Sequence, residues 1–196
     1  MSTQTLFRLG ALATLTTALL LAVGNLMYFT GAHSTPAFVW ISIIESMVRV
    51  FVVTVVYAAQ ARRGGVIALL GYTILMIGLL LYLVYSEGRL ALAVGFISQA
   101  QADQLPQFPA LALLDPLATW ATALGTVIFG LGVFRAGVFS RWAGAMLVVV
   151  GMTTVVEIRA VEYLWAALSV LAWAWIGWAL WTGQAASAEG AAAATA

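Results

Sequence analysis

The chain has no cysteine, no lysine and one histidine, and only 8% of its 196 residues are charged. Each scarcity removes a class of chemistry. Without cysteine there is no disulfide, no iron–sulfur cluster and no thiolate zinc site. Without lysine there is no retinal Schiff base. A single histidine cannot supply both axial ligands of a bis-histidine haem. His33 falls in a predicted loop with no metal-ligand spacing around it and reads as an ordinary loop residue. The formal net charge is +1, far from the basic face that phosphate neutralisation requires, so nucleic acid is not an expected partner. No cofactor is expected either.

What is present is apolar. Hydrophobic residues make up 64% of the chain, against roughly half in a soluble domain, where about 25% of residues are charged. A bilayer accommodates that surface, and the lipid bilayer is the first expected partner. The basic residues are all arginine, and alanine is abundant. That usage points to a GC-rich bacterial genome and hence to a bacterial inner membrane.

A membrane-spanning helix needs roughly 20 mainly apolar residues. Six stretches qualify, at about 6–29, 37–60, 65–85, 115–134, 141–158 and 161–181, which predicts an all-α, six-helix bundle over residues 1–182 and a flexible cytoplasmic tail at 183–196. No glycine or proline separates the last two stretches. The charged run from Glu157 to Glu162 marks a hairpin there, because a central charge costs about 2.5–3.5 kcal/mol on insertion scales. Arg8 ahead of an apolar run resembles a signal peptide, but the run is long for one and is expected to be retained. The outer loop at 86–114 contains a short apolar stretch, Leu90–Ile97, expected to lie in the interface. Asp115-Pro116 reads as an N-cap followed by proline at the first helical position.

Charge orients the bundle. With the N-terminus inside, Arg8, Arg62, Arg63, Arg135 and Arg141 fall on the cytoplasmic side. Glu45, Glu87, Asp103, Asp115, Glu157 and Glu162 lie in the outer half, with Arg49, Arg89 and Arg159. The positive-inside rule then predicts both termini in the cytoplasm. Trp40, Trp120 and Trp165 near one interface and Trp142, Trp178 and Trp181 near the other form the two aromatic belts.

The polar residues are patterned. Ser42, Glu45, Ser46 and Arg49 stand at i, i+3, i+4 and i+7, on one helix face, and Glu45 and Arg49 are spaced to pair. Charges at that depth face a bundle interior or a watery cavity, not lipid. Asn25 and Tyr28, the stripe Asp115, Thr119, Thr122 and Thr126, then Thr153, Thr154 and Glu157, and finally Glu162 and Ser169 occupy the outer halves of other helices. The cytoplasmic halves are mostly bare of polar groups, Thr14, Thr16 and Thr17 excepted. The pattern predicts an outward-opening vestibule narrowing onto Glu45 and Arg49, with Asn25, Asp115 and Glu157 as further ligand or ion contacts. A self-satisfied structural clasp, or a contact with another subunit, fits the same spacing. Ala118, Ala121, Gly125 and Gly132 form a small-residue stripe suited to close helix packing, within the chain or in a homo-oligomer. Gly71 and Gly78 echo Gly144 and Gly151 in spacing, as a duplicated hairpin or shared composition bias would produce.

The segment Arg135-Ala-Gly-Val-Phe-Ser-Arg-Trp-Ala-Gly144 after Gly130-Leu-Gly132, together with Leu6-Phe-Arg-Leu-Gly10 and Asp115-Pro-Leu-Ala-Thr119, resembles a group of uncharacterised bacterial multi-helix membrane proteins known as a domain of unknown function. The resemblance implies a six-to-seven-helix fold and carries over no catalytic residue. Members often have proline before the Arg-Trp pair, where this chain has Ser140. Three function classes follow. The leading expectation is a non-enzymatic accessory or scaffold subunit of a larger membrane assembly. The alternative is a small transporter or outward-facing binding protein built on the vestibule. An enzyme is the least supported, since no nucleophile or cofactor constellation is visible.

Overall fold

The computed structural model describes residues 3–93 and 113–183, and these are helical and connecting chain without a strand. Helix α1 spans Thr3–Phe29, and a short 3₁₀ turn at Ala32–Ser34 leads into α2, Pro36–Ala93. Helix α3 covers Leu114–Ala136, α4 Arg141–Thr153 and α5 Arg159–Trp181. Four of the five are long and apolar enough to cross a membrane: α1, α2, α3 and α5. The chain is therefore a helical membrane protein, but the expected six-helix bundle is corrected to five helices among the described residues.

Two local causes account for the difference. The stretches expected as separate helices at 37–60 and 65–85 are arms of one element. Its backbone leaves helical geometry only at Gly65 (φ 56°, ψ −147°), a positive φ that glycine adopts without a Cβ penalty. The arms fold back on each other there. Tyr57 and Tyr72 stack with centroids 4.5 Å apart, and the Thr54 hydroxyl and Tyr72 phenol share a 3.4 Å hydrogen bond. The stretch expected at 141–158 stops at Thr153 after 13 residues, about 20 Å of helix against roughly 30 Å of hydrocarbon.

Other boundaries move less. The break before α5 falls at 154–158, and α5 starts at Arg159. Leu114 opens α3, so Asp115 sits in its first turn and is not the cap. A carboxylate there still favours the positive end of the helix dipole. Ser140 caps α4, its Oγ accepting from the Trp142 amide at 3.3 Å. The loop expected from 86 is helical as far as Ala93; its remainder at 94–112 and the tail at 184–196 lie outside the described residues.

Packing follows a ring. Each helix lies against its chain neighbours, and α5 returns to α1. The α2–α3 and α3–α4 contacts are set by small residues. A Cβ on Gly71 would strike the backbone of Phe129, and one on Gly78 the backbone of Thr122. From the other side of the same contact, a Cβ on Gly125 would strike Leu75, and one on Gly132 would stand 2.9 Å from the Ala68 Cα. Ala118 is fully buried, and the Ala121 backbone lies against Gly78. The predicted stripe thus packs inside the chain, against the second arm of α2. Gly144 and Gly151 approach α3 at Phe134 and Ala123. The two echoing glycine pairs share a job: each brings a helix to backbone contact with α3.

Candidate functional site

Close packing stops toward one end of the ring. There the C-terminal turns of α1, the start of α2, the start of α3, the α4–α5 link and the start of α5 surround a cavity of about 430 Å³. Ligand cavities commonly fall between about 300 and 1,000 Å³. From Phe38 to Arg49 the lining follows α2 for about 16 Å at 1.5 Å per residue.

Glu45 and Arg49 meet as their spacing predicts. The Arg49 Nε donates to Glu45 Oε1 at 2.6 Å, and an Arg49 terminal nitrogen contacts the same oxygen. Glu45 is 6% exposed and Ser46 1%. An ion pair taken from water needs this kind of direct contact to offset desolvation. On the first arm of α2 the lining ends at Arg49. Beyond it Val52, Val53, Val55 and Val56 are essentially inaccessible, so an apolar plug continues the helix where the polar face stops.

The hydroxyls are mostly committed locally. Ser42 donates to the Phe38 carbonyl at 3.0 Å, Thr153 to Val149 at 2.8 Å and Thr154 to Val150 at 2.8 Å. Such bonds to the preceding turn satisfy a hydroxyl proton inside a helix and leave oxygen lone pairs as acceptors. Thr154 uses one to receive the Trp165 indole N–H at 3.1 Å. Asn25 differs: its side-chain nitrogen is buried and has no hydrogen-bond partner. A buried donor without an acceptor costs roughly 1–3 kcal/mol, and Asn25 lines the cavity.

Aromatic and charged groups form the rim. Phe29 of α1 stacks on Tyr163 of α5 at 4.3 Å, and Arg159 stands over both rings, 5.1 Å from Phe29 and 5.5 Å from Tyr163. Arg159 also pairs with Glu162 at 3.3 Å. This cluster clasps the C-terminal end of α1 to α5.

Of the residues expected at the site, Asn25, Glu45, Arg49 and Glu157 line one cavity, as do Thr119, Thr122 and Thr153, while Asp115 is not among the lining. Sequence reasoning missed His33, Phe38 and Tyr82 as lining residues. It treated His33 as an ordinary loop residue, whereas the ring lies 5.7 Å from Tyr28. Their contribution depends on which helices adjoin, which periodicity along one helix does not encode. It also missed Gln60, wholly buried with both side-chain polar atoms unpartnered. Among the described residues no group of three or more His, Asp or Glu side chains is placed to hold a metal ion.

Comparison with known proteins adds no name: no family model matches the chain, and neither does any curated protein or solved structure.

Proposed function

We propose that the chain is a non-enzymatic integral membrane protein of a bacterial cytoplasmic membrane that binds a small ligand in the cavity around Glu45 and Arg49. The observation that carries this reading is the convergence of five helices on one 430 Å³ space, in a bundle that elsewhere packs to backbone contact. The unmet Asn25 donor in its wall supports it further, because buried polar groups normally find a partner. The abundance of arginine at the opposite end of the helices favours a cavity opening away from the cytoplasm. The end of the lining on the first arm of α2 at Arg49, above buried valines, favours binding over continuous permeation, which needs polar lining throughout. An accessory subunit has less to draw on, since its candidate contact, the small-residue stripe, is used internally.

The test fills the cavity. Gly24 lines it, and a Cβ there meets only Ile41, at 3.9 Å, so Gly24→Trp projects into open space. Purified protein in mild detergent is screened by thermal shift against small cations, neutral compounds and anions. At least one compound is expected to raise the Tm of the parent chain and leave the Gly24→Trp variant unmoved. A screen without a hit, or equal responses from both proteins, overturns the reading. Co-purification with other polypeptides in fixed ratio, seen by mass spectrometry of the intact assembly, would put the accessory-subunit reading first.

A further inference from the structure

We propose that the cavity's occupant is an organic cation: an amine on an apolar, preferably aromatic, body that also carries a hydrogen-bond acceptor. The proposal rests on the reading of the cavity as a ligand site and specifies its chemistry.

Charge balance is the first argument. Three carboxylates line the cavity: Glu45, Glu157 and Glu162. Arg49 holds Glu45 through Oε1, and Arg159 holds Glu162. Glu157 makes no ion pair among the described residues. One negative charge on the wall is thus left without a counterion among the described residues. An anion entering the same space would meet Glu157 directly and could reach Arg49 only in competition with Glu45.

Shape and surface are the second argument. Phe38 and Trp165 supply ring surface to the same lining. Ring faces attract cations through their negative quadrupole. The chain already uses this chemistry at the rim, where the Arg159 guanidinium lies within 5.9 Å of three ring centroids. Those ring faces and Glu162 are occupied by Arg159, so the ammonium's partner is Glu157. The third argument is Asn25: it lines the cavity, and its buried side-chain nitrogen has no acceptor among the described residues, so a rotation of the amide toward the cavity would present a free N–H donor. An ammonium alone does not complete it; an ether or hydroxyl oxygen on the same molecule does. Ammonium of this kind reaches the site either on a soluble amine or on a lipid headgroup.

The experiment uses three probes with one body: 2-phenoxyethylamine, 2-phenoxyethanol and phenoxyacetate. Affinities for the full chain in nanodiscs at pH 8 are read by calorimetry. The amine is expected to bind at least tenfold more tightly than the alcohol, with the acid weakest. Glu157→Gln, at an exposed position that leaves the packing intact, is expected to remove that preference and keep alcohol binding. Weaker amine binding in phosphatidylethanolamine nanodiscs than in phosphatidylglycerol ones assigns the ammonium to a lipid. Equal binding assigns it to a soluble amine. Equal affinity for all three probes, preference for the acid, or an amine preference surviving Glu157→Gln each overturns the cation assignment. The cavity reading then stands so long as Gly24→Trp still abolishes binding. If none of the three binds while the thermal-shift screen has other hits, only the cation assignment falls. A screen without hits removes both.

Discussion

Above Arg49 the first arm of α2 borders open space, with Ser42 and Glu45 facing a cavity. Below it the same arm is sealed, with four valines essentially inaccessible. The two regions share helices and apolar composition, and what separates them is side-chain size. Toward the sealed side, Gly71, Gly125 and Gly132 let backbones touch; around the cavity, Asn25, Tyr28, Phe38, Tyr82 and Trp165 hold the helices apart. Leu20, Leu21, Ile41 and Leu79 give the cavity an apolar part, and a space left by poor packing alone would have nothing more. This one gathers a buried ion pair and an unmet amide, so the open region has the character of a site and the sealed region that of its foundation.

Four substitutions, in three tests, strain that contrast, in decreasing order of effect. Gly71→Leu drives a side chain into the Phe129 backbone and is expected to cost more than about 3 kcal/mol, since overpacking against main chain has no cheap relaxation. A thermal melt in detergent reads it, and a variant as stable as the parent would mean that α2 and α3 are not in backbone contact. Next come Glu45→Gln and Arg49→Met. Each alone strands a partner and is expected to lose about 3 kcal/mol, as broken buried pairs do. The double variant should recover a large part, and strictly additive losses in the cycle would remove the direct pair. Smallest is Gly24→Ala. Its Cβ has ordinary contact with Ile41 alone, so helix propensity dominates and stability should rise by up to about 1 kcal/mol. A loss there comparable to that at Gly71 would mean that the cavity end packs as closely as the other.

How far the sequence carried depends on the range of the signal. Apolar runs mark where chain can enter lipid, and α1, α3 and α5 lie close to their expected bounds. The Glu45–Arg49 contact is a four-residue matter, visible in the spacing and present in the structure. The number of helices was not legible. A single positive-φ residue at Gly65 turns α2 back without a loop, and nothing in the composition of 141–158 announces a stop at Thr153. Site residues split the same way. Asn25, Glu45 and Glu157 stand out because polar groups are scarce in apolar helices. His33, Phe38 and Tyr82 join the cavity only through the arrangement of neighbours, and Gln60 looks like a helix-end residue until its full burial is seen.

The closure of the ring through α1 and α5 has a consequence for biogenesis. Ribosomes deliver helices in order, so α1 keeps one flank exposed until α5 has been made. During that interval Phe29 faces lipid or an insertion factor in place of Tyr163. A nascent chain interrupted before Arg159 carries most of the residues that line the pocket but not the Glu162 and Trp165 side that closes it.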